Sequence, residues 1–89
     1  MHTVELLDCA LRAAKRLGYG VRHEWLGGNG GGACVLKGRK WIFLDLAQPP
    51  VEQLALVADV IRAEVSAGQL DGPLELRSYL LAGTTADAA

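Results

Sequence analysis

The stretch Ala33-Cys34-Val35-Leu36-Lys37-Gly38-Arg39-Lys40-Trp41-Ile42-Phe43-Leu44-Asp45-Leu46 decides how this chain folds. Two runs rich in aliphatic and aromatic residues flank Gly38-Arg39, and a two-residue connection that opens on glycine suits a II′ hairpin. With that turn, Lys37 pairs with Lys40, Leu36 faces Trp41, Val35 faces Ile42 and Cys34 faces Phe43. Side chains alternate along a strand. One side of the ribbon therefore carries Ala33, Val35, Ile42, Leu44 and Leu46, and the other carries Cys34, Leu36, Trp41, Phe43 and Asp45. Both sides are apolar. A half-exposed antiparallel sheet alternates apolar with polar, so this ribbon needs a cover on each side.

Upstream, Val4, Leu7, Ala10, Leu11, Ala14 and Leu17 recur at helical spacing, with Leu6 and Ala13 widening the stripe. Thr3 is placed to cap this helix and Gly18 to end it. Glu5 and Asp8 lie near its positive end, and Lys15 and Arg16 near its negative end. Residues 19–26, Tyr-Gly-Val-Arg-His-Glu-Trp-Leu, read as a strand with Val21, His23 and Trp25 on one side and Arg22 and Glu24 on the other. A glycine loop, residues 27–32, joins it to the hairpin. Downstream, Pro49-Pro50 suits a helix start, and Leu54, Val57, Ala58, Ile61 and Val65 form the main stripe of a second helix that runs to Ala67. Leu56 and Val60 lie on a weaker stripe well round the cylinder. Residues 74–81 read as helix or strand; Pro73 at a first helical position and Gly83 at an end favour helix.

The fold class expected is α+β. A three-stranded, mainly antiparallel sheet carries two helices on one face in the order α-β-β-β-α, with a short helical C-terminal element. Residues 1–82 form one domain and residues 83–89 a flexible tail. The 89 residues allow one thin core. A hydrophobic fraction of 51% with a net charge of -1 is incompatible with disorder as the main state. It also lacks the basic excess of an electrostatic nucleic-acid binder. No apolar run is long enough to span a membrane. The opening Met1-His2-Thr3-Val4-Glu5 has neither the basic start nor the apolar stretch of a signal peptide. Two cysteines, Cys9 and Cys34, make no disulfide framework. The expected location is cytoplasmic, with reduced thiols.

Candidate chemistry centres on the glycine loop. Consecutive backbone N–H groups can converge on an anion, so Gly28, Gly30, Gly31 and Gly32 form a candidate ligand cradle. Gly28-x-Gly30 enters a strand, not a helix, and no Lys-Ser or Lys-Thr follows, so dinucleotide and P-loop motifs are excluded. The bland reading of the loop is a flexible connection, or close backbone packing against another chain. Cys34, His23 and Asp45 would make a thiol–imidazole–carboxylate set if neighbouring strands brought them together. Against it, Cys34 facing Phe43 is a buried, unreactive thiol. Cys9, with Arg12 and Arg16 one and two turns on, is a surface thiol. His2, His23, Cys9 and Cys34 lack ligand spacing, so no metal or cofactor is expected. The Lys37-Gly38-Arg39-Lys40 tip reads as solvation and edge protection; without aromatic neighbours on exposed strands it is no nucleic-acid patch.

The order helix, strand, glycine loop, hairpin, helix is carried by Leu7 to Leu17, then Gly18-Tyr19-Gly20-Val21-Arg22-His23-Glu24, Trp41-Ile42-Phe43-Leu44-Asp45 and Glu52 to Arg62. Over residues 6–62 it resembles the front part of ImmA/IrrE-like zinc metallopeptidase domains, whose last helix bears H-E-x-x-H. Aligned on Ala58, the family's first His falls on Asp59, its Glu on Val60 and its second His on Ala63. The resemblance therefore implies a related scaffold without zinc or peptidase chemistry, and it transfers no catalytic residue.

The reading that follows is a non-catalytic protein-interaction module. Its interface is built from Leu36, Trp41, Phe43, Leu56 and Val60, and its partner is a second copy or another protein. The surplus face is covered either by residues 74–81 or by that partner. The competing reading is a small-ligand or thiol-dependent protein using Gly27–Gly32 with Cys34, His23 and Asp45.

Overall fold

A computed structural model describes residues 2–65 and 72–88, with side chains as far as residue 81. The element order is α1 (Thr3–Arg16), β1 (Tyr19–Glu24), β2 (Gly32–Leu36), β3 (Arg39–Asp45), α2 (Pro50–Glu64) and α3 (Leu74–Ala88). The α+β class stands. The sheet is mixed instead of mainly antiparallel. Its strand order is β1-β3-β2, with β1 parallel to β3 and β2 antiparallel to it. The physical reason lies in β3, which carries the bulkiest apolar side chains on both sides, Ile42 and Leu44 on one and Trp41 and Phe43 on the other. A strand of that kind belongs at the centre, whereas β1, with Arg22, His23 and Glu24, is built for an edge. The antiparallel β2 supplies the return path that a parallel β1–β3 pair requires.

The hairpin turns one residue earlier than the II′ reading places it. Leu36 pairs with Arg39, Val35 with Lys40, Cys34 with Trp41 and Ala33 with Ile42, so Lys37 and Gly38 form the turn. Both have positive φ, 52° and 78°, the signature of a type I′ turn, whose twist matches that of the strands. Arg39 is thereby kept in β3, where its guanidinium carbon stacks 4.7 Å from the Trp41 ring centroid. Moving the turn by one residue changes every cross-strand partner by two, so each side chain keeps its face. Ile42 and Leu44 still share one side with Val35. Trp41 and Phe43 still share the other with Cys34 and Leu36.

The core lies on the Ile42 and Leu44 side. Both are fully buried, in one cluster with Leu7, Ala10, Ala13 and Ala14 of α1, Leu54, Val57, Ala58 and Ile61 of α2, and Leu76 and Leu80 of α3. Burying each large aliphatic side chain contributes roughly 1.5–3 kcal/mol. Val4, assigned by periodicity to the α1 stripe, is largely exposed. His2, not Thr3, occupies the N-cap position, and its backbone N–H donates to the Glu5 carboxylate.

Residues 74–81 are helical, and α3 continues through Gly83. Leu76 and Leu80, one turn apart, face the same core as the other helices. Arg62 fastens α3 to α2. Its Nε donates to the Leu80 carbonyl at 2.9 Å and its Nη2 to that of Tyr79 at 3.4 Å. At the sheet edge, Glu64 accepts from the Tyr19 hydroxyl at 2.8 Å and from Lys40 at 3.2 Å. α2 ends at Glu64, short of the expected Ala67, because Val65 is already in an extended conformation at its C-cap.

Candidate functional site

Among the described residues, no helix covers the second sheet face. Parity along the strands places Gly20, Arg22 and Glu24 of β1, Arg39, Trp41 and Phe43 of β3, and Cys34 and Leu36 of β2 on it. Six residues, Arg22, Leu36, Lys37, Arg39, Trp41 and Phe43, line a cleft of about 410 Å³ there. Trp41 and Phe43 sit two apart on β3 with ring centroids 6.4 Å apart. Trp41 also leans over β1. A Cβ on Gly20 would lie 2.6 Å from the Trp41 ring, so the absence of a side chain at position 20 lets the indole lie down on the sheet. Among the described residues, three cations and no carboxylate line this cleft; the nearby Glu24 is engaged by Arg22 at 3.4 Å. Leu36 is 51% exposed, and α3 does not reach across.

Of the interface residues read from the sequence, Leu36, Trp41 and Phe43 come together here. Leu56 and Val60 do not. Both are half-buried on α2 and pack against the helical core. The cations beside the aromatics, Arg22, Lys37 and Arg39, are absent from that reading. Strand parity alone assigns Arg39 to the Trp41 side, but Arg22 joins them only once β1 is known to lie next to β3.

The glycine loop does cradle an anion, and the anion is Asp45. Its side chain is fully buried where the loop folds over the end of β3. Oδ1 accepts from the backbone N–H of Leu26 at 3.1 Å and of Ala47 at 2.9 Å, and Oδ2 from that of Gly30 at 3.0 Å. Burial alone would push this carboxyl up. The N–H groups of Ala47, Gly30, Leu26 and Gly28 together outweigh it and hold the pKa below the ordinary carboxylate value. Gly31 packs against β3 so closely that a Cβ would fall on the Phe43 carbonyl oxygen. Asn29 closes the turn, its side-chain amide donating to the Leu26 carbonyl at 3.0 Å. The loop is a built clasp, not a slack connection.

Cys34, His23 and Asp45 are not assembled. His23 lies level with Leu44 and Cys34 level with Trp41 on the two outer strands, so they are two strands and three residues apart, roughly 14 Å at the backbone. They point to opposite sides of the sheet, and Asp45 is enclosed by the loop. Cys34 faces Trp41, not Phe43, and is exposed, which corrects the expectation of a buried thiol. Cys9 is half-buried beside a second cleft of about 260 Å³ with Arg12, Arg16, Gly72 and Pro73. At the positions aligned with H-E-x-x-H, Asp59 is paired with Arg62 at 2.8 Å and Val60 packs on the core. Among the described residues, no three His, Cys, Asp or Glu side chains are grouped to hold a metal, and no helix is long and apolar enough to cross a membrane. Compared with known proteins, the chain matches no family model, no curated protein and no solved structure.

Proposed function

We propose that this chain is a non-catalytic protein-interaction module whose open sheet face receives an acidic, apolar-anchored segment of another protein. One observation carries the reading: a cleft floored by Leu36, Trp41 and Phe43 is rimmed by Arg22, Lys37 and Arg39, with no carboxylate among the described residues of its lining. Aromatic and arginine side chains of this kind are the usual anchors of protein interfaces. An acidic partner meets a rim of positive charge, which speeds encounter and rejects basic competitors. A second copy stacked face to face would oppose three cations with three cations. That geometry is disfavoured, so a partner of opposite sign fits the face better than this chain does.

A single-stranded nucleic acid is the other polyanion that aromatics and cations attract. The sequence reading set it aside because the hairpin cations lacked aromatic neighbours, and Trp41 and Phe43 now supply them. The Trp41 ring, however, is already engaged by Arg39 at 4.7 Å and not left bare for base stacking.

The test titrates a Trp25→Phe variant, in which Trp41 alone reports, with three probes: a Leu/Glu peptide, a Leu/Lys peptide and an oligothymidine. The reading expects a salt-sensitive Trp41 response to the Leu/Glu peptide that an Arg22→Glu, Arg39→Glu double variant abolishes. Equal responses to the two peptides refute it, and a response confined to oligothymidine transfers the face to single-stranded nucleic acid.

A further inference from the structure

We infer that two copies of this chain pair antiparallel along the free edge of β2, about a two-fold axis at Cys34, and extend the three-stranded sheet to six strands. This contact uses the sheet edge, not the open face, and does not depend on what the face binds.

The two outer strands differ. β1 carries Arg22, His23 and Glu24, the charged side chains that discourage edge pairing. β2, Gly-Ala-Cys-Val-Leu, holds no charge and no proline, and its pairing with β3 is unbroken by a bulge. It is open on both sides, with Val35 65% and Leu36 51% exposed. Helices cover β1 and β3 on the core side and leave β2 bare.

Hairpin geometry then selects the register. In a two-residue turn the flanking residues, Leu36 and Arg39, form a hydrogen-bonded pair, and such pairs alternate along an antiparallel ladder. Gly32, Cys34 and Leu36 therefore direct their backbone groups to β3, while Ala33 and Val35 direct theirs outward. An axis at Cys34 pairs Ala33 with Val35 of the second copy and Val35 with its Ala33, so both outward residues exchange N–H···O bonds in both directions. Moving the axis to Val35 would pair Ala33 with Lys37, which has left the strand at φ 52°. Moving it to Ala33 would require Gly31, which is packed on the β3 backbone. Only the Cys34 axis uses every outward group.

The ends of β2 are complementary in the same arrangement. Pairing about Cys34 sets Leu36 opposite Gly32 and brings the bulky cationic turn of one copy alongside the side-chain-free glycine loop of the other. Like charges stay apart, and the glycines leave room. Cys34 meets its own copy at a non-hydrogen-bonded position, where Cα atoms lie about 4.5 Å apart, inside the range a disulfide spans.

Mild oxidation of the full chain with diamide tests this directly. The expected product is a disulfide-linked dimer that persists in Cys9→Ser and disappears in Cys34→Ser, from protein that sediments as a dimer at tens of micromolar when reduced. Val35→Pro removes an outward N–H without touching the β3 ladder, as edge positions tolerate. It should lower the crosslinked yield by at least about tenfold while near-ultraviolet circular dichroism stays unchanged. A wild-type chain that sediments as a monomer, a dimer that yields no Cys34 crosslink, or a folded Val35→Pro variant that crosslinks as the parent does overturns the inference.

Discussion

Adding one methyl group at Gly31 should be among the most damaging single changes in this chain, although Gly31 carries no side chain and sits in a surface loop. Its Cβ would lie 1.7 Å from the Phe43 carbonyl oxygen and 2.7 Å from the carbonyl carbon. These are backbone atoms of the central strand, so no rotamer change relieves the overlap. Either the loop lifts by more than an ångström or β3 bends. Lifting the loop draws the Gly30 N–H away from Asp45 and leaves a buried carboxylate short of a donor. Overpacking into a fixed surround costs about 1–3 kcal/mol and occasionally more, and a rigid backbone obstacle places Gly31→Ala at the upper end. A domain of this length has roughly 4–13 kcal/mol of stability in all. A loss of about 3 kcal/mol would lower the melting temperature by roughly 12–24 °C. The neighbouring Gly32 is the control, because a Cβ there meets nothing within 4 Å. Gly32→Ala should be neutral or gain up to about 1 kcal/mol from a stiffer unfolded chain. Thermal melts by far-ultraviolet circular dichroism compare the two directly. If Gly31→Ala melts within a few degrees of the parent, the close approach of loop and strand is not as described.

Replacing Lys37 by Asn relieves a left-handed lysine in a turn that favours Asn-Gly and should raise stability by about 0.5–1 kcal/mol in urea titrations; a loss would count against the I′ geometry. Arg62→Ala removes two hydrogen bonds that hold α3 and should cost about 1–3 kcal/mol, with hydrogen exchange in α3 accelerating ahead of that in β3. Acid should destabilise the fold. Asp45 and Glu64 both have carboxyl pKa values held down in the folded state, Asp45 by its loop N–H groups against the opposing effect of burial, and Glu64 by Tyr19 and Lys40. The unfolded chain therefore binds more protons. The stabilisation is present above the unfolded carboxylate pKa near 4 and disappears as pH falls through the lower folded values. A melting temperature that stays level from pH 5 to pH 3 contradicts this, and Asp45→Asn should flatten the slope. Burial and Glu64 raise the Tyr19 phenol, so its contribution holds below the unfolded tyrosine pKa and is lost as pH rises through the folded one.

The sequence makes some of this legible and hides the rest for physical reasons. The two-faced hairpin is readable because side-chain alternation survives a one-residue error in the turn, so Trp41 and Phe43 fall on one side whether Gly38 opens the bend or closes it. The parallel pairing of β1 with β3 is hidden, because chain order suggests that neighbours in sequence are neighbours in the sheet. The charges of Arg22 and Glu24 set against the uniformly apolar Ile42-Phe43-Leu44 do mark which strand is edge and which is centre. The glycine loop is legible as an anion cradle but not as an occupied one. Asp45 lies beyond an intervening hairpin, and only the folded chain reveals that its carboxylate reaches back to Leu26 and Gly30. Leu56 and Val60 lie apart from the sheet face, packed on the helical core, for a simpler reason. A second apolar stripe looks surplus until α3 and its Leu76 and Leu80 are seen to thicken the core.

Tethering has a price for any outside competitor. The carboxylate that fills the loop is attached to the strand beside it, so its local concentration does not fall when the protein is diluted. A free phosphate would have to evict a rival that never diffuses away and would strand that rival's negative charge in a dry recess. The glycines so often associated with nucleotide capture serve here as a latch that the chain closes on itself.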